Sequence, residues 1–141
     1  MDYAIRLFEV IEKYSFDPIQ NGYLEALTRD WNPIEDMRLS DKDENEKKTM
    51  NTHLHILEPY TNLYRVWKDK RLENQLRNLI RIFLDKILDR KTGHLNLFFE
   101  EDWLNKYHIY SYGHDIEASW LLHEAALVLG DAGLLKEVEE W

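Results

Sequence analysis

The sequence predicts an all-α fold: an arc of paired helices belonging to a toroid or array of helical hairpins. Three observations lead there. Apolar residues recur at three- and four-residue steps through most of the chain. Short turns join the helices on one side, and longer, partly extended loops join them on the other. The helices also carry more apolar surface than two or three hairpins bury by themselves, which is the mark of units that stack on neighbours.

The elements follow in order. Met1 to about Tyr14 places Ala4, Ile5, Leu7, Phe8, Val10 and Ile11 at helical spacing, predicting a helix with a broad buried face. Pro18, Gly22 and Pro33 punctuate the next stretch, and Asn21-Gly22 is a turn signal, so loops with a hairpin at Asn21-Gly22 are expected. Arg38 to Lys48 is a charged run without apolar periodicity and reads as an exposed loop leading into a helix. That helix runs from about Lys47 to Trp67, with Met50, Leu54, Leu57, Tyr60 or Thr61, Tyr64 and Trp67 at helical steps and an internal Pro59 that should either kink it or sit where its lost hydrogen bond is tolerated. A second long helix spans about Arg71 to Asp89, on the spacing of Leu72, Leu76, Leu79, Ile80, Phe83, Leu84, Ile87 and Leu88. Gly93 marks a stop, and "HLNLFF" alternates as a short strand. A third long helix runs from about Asp115 to Leu129, apolar on most of its circumference, with Gly130 as its C-cap. A fourth begins at about Ala132 and stops at Trp141, cut within the element. The whole reads as a single partial domain, 1–141.

Composition narrows the function. A net charge of −9 argues against a nucleic-acid partner, because phosphate binding needs a basic face. There is no cysteine, hence no disulfide framework and no thiolate chemistry. No apolar run approaches the roughly 20 residues that cross a bilayer, and the N-terminus lacks a basic region before an apolar stretch. No membrane contact and a cytoplasmic location are therefore expected. Five tryptophans and eight tyrosines are a mild surplus, compatible with sugar stacking and equally with an aromatic core.

The stretch "SYGHDIEASW" (Ser111–Trp120) sets a histidine and two acids at the mouth of an otherwise apolar helix. A polar first turn aimed at the interior marks a candidate site. On the earlier helix Asn51 and His55 stand at i and i+4 and share a face, whereas His53 lies roughly 200° around the helix from Asn51 and reads as a structural histidine. His-x-His rings diverge on a helix and no cysteine or carboxylate cluster completes a set, so no metal site is expected. Tyr112 and Trp120 read as core aromatics, Glu58 as a bond to a neighbouring loop, Asp115 as an N-cap or first-turn acid, and His94, His108 and His123 as packing or surface residues without partners.

"MNTHLHILEPYTNLYRVW" followed, one helical hairpin later, by "YSYGHDIEASWLLHEAA" resembles the N-acylglucosamine 2-epimerase superfamily, closest to its cellobiose 2-epimerase branch. The likeness covers most of the chain and is strongest from Thr49 to Ala126. It implies the middle of an (α/α)6 barrel, incomplete in this chain. It also implies a carbohydrate isomerase acting at C2 of a reducing-end sugar or disaccharide, with no cofactor. By the resemblance His114 is one of two acid/base histidines, with Glu117 on the same face three residues on, and Asn51 and His55 contact the substrate. The pattern also needs an arginine-bearing helix before this segment, and stacking tryptophans and a second histidine after it. The isolated chain is accordingly expected to be inactive and to associate through its bare helix faces. A non-catalytic remnant or sugar-binding piece is the alternative. A glycoside hydrolase is disfavoured, since Asp115 and Glu117 sit on one helical turn and not on opposed walls.

Overall fold

A computed structural model describes residues 1–141. It contains five α-helices: α1 (Asp2–Tyr14), α2 (Met50–Val66), α3 (Lys70–Ile82), α4 (Tyr112–Leu129) and α5 (Ala132–Glu139). Four two-residue strands form two small antiparallel pairs, β1 (Lys48–Thr49) with β4 (Phe98–Phe99) and β2 (Leu88–Asp89) with β3 (His94–Leu95).

Helix α2 is the centre of the fold. Thr49 caps it, its hydroxyl accepting the Thr52 amide at 3.0 Å. Its buried face carries Met50, Leu54, Leu57, Tyr60 and Tyr64 against α3 and α4. Pro59 does not interrupt it: the helix runs through to Val66. Both His55 and Pro59 lie on its exposed side, where water can satisfy the carbonyl that proline leaves without a donor.

Helix α3 is strongly amphipathic and begins at the cap Asp69. The long helix expected over Arg71–Asp89 is shorter than its pattern. The chain passes into a π-helical turn, Phe83–Ile87, and then into β2. Phe83, Leu84 and Ile87 stay buried through the change. Similarly, "HLNLFF" is two strands with different partners, because Asn96 and Leu97 lie between β3 and β4.

A single cluster of 28 buried residues joins these elements. Beyond it the helices are bare. On α4, Ala118, Leu121, Leu122, Ala125 and Ala126 are buried, whereas Tyr112, Ile116, Trp120 and Leu127 are exposed. Tyr112 and Trp120 are therefore not core residues of this chain, contrary to their reading from sequence. The broad buried face expected of α1 narrows to the buried Phe8 with half-buried Ile5 and Ile11 beside it, and Met1, Tyr3 and Leu7 are open to solvent. The physical reason is common to both: nothing in the chain packs on these faces.

The segment between α1 and β1 is loop, with the expected hairpin at Asn21-Gly22. Phe16 and Tyr23 form an antiparallel bridge, and the Asp17 amide donates to the Gly22 carbonyl at 2.8 Å. Asn21 and Gly22 both have positive φ (62° and 97°). A Cβ at Gly22 would stand 2.4 Å from Trp103 and 2.8 Å from His53 Nε2, so this turn accepts only glycine.

The charged run is not wholly exposed. Glu46 and Lys48 are buried. Lys48 Nζ lies 2.8 Å from Asp17, donates to the Asn21 carbonyl at 2.8 Å and to the Glu101 carbonyl at 2.5 Å, and sits over the Trp103 ring. Burial pushes the Asp17 carboxyl up, but Lys48 and the Gln20 and Ile19 amides outweigh it and hold that group below its usual range. This ion pair ties the hairpin, β1 and the loop after β4 together at the entry to α2.

Candidate active site

Helices α2 and α4 pack side by side, and residues at their N-terminal ends open on one cavity of about 380 Å³. One part of its wall is polar and charged: Glu25, Lys42, Asp43, Thr49, Asn51, Ser111 and His114. Another is apolar and aromatic, from Leu97, Phe98, Ile109 and Tyr110. A cavity that combines polar groups with apolar and aromatic surface has the character of a small-molecule site.

His114 enters this cavity from the first turn of α4. Its Nδ1 lies 2.9 Å from Ser111 Oγ, which leaves Nε2 as the nitrogen free to work. Ser111 is the N-cap residue of α4, but its side chain makes no cap bond and serves the imidazole instead. Asn51, half-buried on the first turn of α2, makes no side-chain hydrogen bond within the chain, so its amide is unspent.

The other two residues named from sequence lie outside the lining. His55 is exposed, one turn along α2 from Asn51. Glu117 is half-buried, one turn along α4 from His114, and makes no hydrogen bond to the imidazole, whose Nδ1 is taken by Ser111. His53 is a structural residue, as its position on the helix predicts. Its ring is fully buried, Nε2 accepts the Tyr23 amide at 2.9 Å, and Nδ1 donates to the Thr49 carbonyl at 2.6 Å. These backbone partners dictate the tautomer. Burial pushes the His53 pKa down to about 4 and keeps the ring neutral.

Asp115 is a first-turn acid and not the N-cap. Its carboxylate accepts the Leu95 amide at 3.0 Å and pairs with His94 Nδ1 at 2.8 Å, pinning α4 to β3 beside His114. His94 thus has a partner 21 residues away, and its ring packs between Tyr110 and Tyr112. His123 also has one, with Nε2 lying 3.4 Å from Glu139.

One carboxylate on the cavity wall carries no sequence signal. Glu25 sits in the loop after the hairpin and accepts the hydroxyls of Thr49 and Thr52. Burial raises its pKa, the two threonine hydroxyls pull it down, and the charge of Asp43 raises it further, for a net upward shift. Its partners are 24 and 27 residues away, so no local pattern could mark it. Ser111, three residues before His114 at a helix start, was readable as a partner by spacing. No group of three or more histidine, cysteine or acidic side chains is arranged to hold a metal ion. No helix is long and apolar enough to cross a membrane.

The model of the N-acylglucosamine 2-epimerase family matches residues 2–137. The chain is 73% identical over 137 residues to a cellobiose 2-epimerase of Bacteroides fragilis, covering 97% of this chain and 35% of that protein. It is 38% identical over 140 residues to a cellobiose 2-epimerase of Dictyoglomus turgidum, covering 99% and 36%. Among solved structures, the cellobiose 2-epimerase of Bacillus thermoamylovorans superposes with a TM-score of 0.89 at 42% identity, over 97% of this chain and 36% of that one. A sugar epimerase from a ruminal bacterium gives 0.89 at 38%, over 96% and 34%. The chain therefore spans about a third of the length of the relatives it matches. Those structural neighbours are (α/α)6 barrels, and the five helices correspond to about a third of one.

Proposed function

The chain belongs to the N-acylglucosamine 2-epimerase family, and from that premise we propose that it supplies one acid/base half of an enzyme that inverts C2 of a reducing-end glucose, as in cellobiose. The observation that carries this reading is the meeting of His114, with its Nε2 free, and the unspent amide of Asn51 in one half-apolar cavity.

The chemistry sets the requirements. The C2 hydrogen is acidic only when C1 is an open-chain aldehyde, so the ring opens first. A base then takes the C2 proton, the electron pair moves into an enediolate, and an acid returns a proton to the opposite face. His114 Nε2 is the base or acid on one face, with Ser111 fixing the ring through Nδ1. Asn51 holds hydroxyls of the open-chain sugar, and Tyr110 and Phe98 offer a surface for its C–H face. His55 and Glu117 border the site and take substrate or orient the imidazole once the sugar is bound. The second proton-transfer group and the cation that stabilises the enediolate lie outside these residues, by the family pattern.

The test uses a full-length chimera in which this segment replaces the matching third of the Bacteroides fragilis relative. In deuterated water it should place deuterium at C2 of the reducing sugar while converting cellobiose to its epimer. His114→Ala should abolish turnover and leave the melting temperature in place. Epimerisation without deuterium uptake, or an active His114→Ala chimera, defeats the reading. The alternative reading is a sugar-binding piece without turnover. Cellobiose binding to the 141-residue chain with no epimer formed would support it.

A further inference from the structure

We propose that Glu25 is a sugar-binding residue of this cavity, its Oε1 accepting a hydroxyl of the bound saccharide. This rests on the reading of the cavity as a sugar site.

Glu25 accepts two protein hydroxyls, and both arrive on the same atom. Thr49 Oγ1 and Thr52 Oγ1 each donate to Oε2, the latter at 2.5 Å. Oε1 has no protein partner. No buried side-chain oxygen or nitrogen in the chain lacks a hydrogen bond, so Oε1 keeps access to solvent, and the residue lines the cavity. The two threonines fix the carboxylate plane. Thr49 is the cap of α2 and Thr52 lies in its first turn, so the acceptor is held rigidly beside Asn51. Such preorganisation is what a binding residue needs.

The neighbouring groups complete a sugar's complement. Asn51 offers a donor and an acceptor, His114 Nε2 is free, and Glu25 adds an oxygen that no protein group hydrogen-bonds. Carbohydrate hydroxyls donate well to carboxylates, and a charge-assisted bond of this kind is stronger than a neutral one.

The test is kinetic and uses the same full-length chimera. Glu25→Gln keeps the shape and an oxygen for the threonine hydroxyls but loses the charge and one acceptor. We expect KM for cellobiose to rise about tenfold or more with kcat nearly unchanged, the pattern of lost uniform binding. A panel of monodeoxy cellobiose analogues adds a readout that a structural role does not move. For one hydroxyl, the loss of kcat/KM seen on deleting it with the parent chimera should vanish in Glu25→Gln. Thr52→Ala loosens the loop without touching Oε1, and should lower the melting temperature while leaving discrimination at that hydroxyl in place. An unchanged KM in Glu25→Gln, or a deoxy penalty identical in both proteins at every position, overturns the proposal. A collapse of kcat at unchanged KM overturns it as well, since that assigns the residue to the chemical step. A parent chimera that turns over no cellobiose defeats the reading of the cavity first, and this proposal with it.

Discussion

Acidification should destabilise this chain through His53. The ring is fully buried, donating from Nδ1 to the Thr49 carbonyl and accepting the Tyr23 amide at Nε2. A proton added at Nε2 expels that amide and buries a charge near the Lys48 ammonium. Burial is the largest cause of the shift and the Lys48 charge adds to it, while the bond to Thr49 opposes it. The net result is a fall from 6.5 to about 4. In the unfolded chain the ring takes its proton near its ordinary value, so between about 6.5 and 4 the unfolded state holds more protons. Stability is therefore fully present above that window and is lost as pH falls through it. At about 1.4 kcal/mol per pH unit, the total loss is about 3 kcal/mol. Glu12 and Glu25, both raised by burial, act in the opposite sense, because their folded forms bind protons more readily. Their effect cancels when the protein is compared with His53→Gln, whose amide oxygen can accept the Tyr23 N–H but does not titrate. Urea unfolding across this pH range should show the native chain losing about 3 kcal/mol more than the variant. The ring signals of His53 should titrate near pH 4 by nuclear magnetic resonance. Parallel losses in the two proteins, or a ring that titrates at its ordinary value, would refute the argument.

Two further outcomes follow from the same structure. Lys48→Met strands the buried Asp17 carboxylate and should cost about 3–5 kcal/mol of unfolding free energy, with part recovered in the Lys48→Met/Asp17→Asn double variant; equal midpoints for the single variant and the native chain would show that the pair is not buried in solution. The isolated 141-residue chain should associate through Leu7 on α1 and Ile116, Trp120 and Leu127 on α4, and Trp120→Glu should weaken that association; a compact monomer by light scattering at every concentration would count against it.

Helix positions and the hairpin at Asn21-Gly22 were legible because their causes are local. Period-3.6 apolar spacing, the C-cap Gly130 and an Asn-Gly turn each act within a few residues. The same locality placed His53 away from Asn51, and made His114 and Asn51 candidates through motifs contained in single helices. The excess of apolar surface on α1 and α4 was also legible, since a helix wet on an apolar face advertises an absent neighbour.

Only the tertiary structure decided which polar groups meet. Lys48 looked like the end of a solvated charge run, yet it is the most buried cation in the chain, because Asp17 and the Asn21 carbonyl from the hairpin and the Glu101 carbonyl from the loop after β4 converge on it. His94 looked partnerless until β3 brought it to Asp115. Glu25 was silent in the sequence and became part of the cavity wall only when the hairpin loop folded back on the start of α2. The side of each helix that turns inward also waited on packing: Trp120 reads as core by composition but faces solvent, since α2 and α3 occupy only the Leu121–Leu122 side of α4. Periodicity states that a face is apolar; the partner that covers it is a property of distant chain, and no local spacing encodes it.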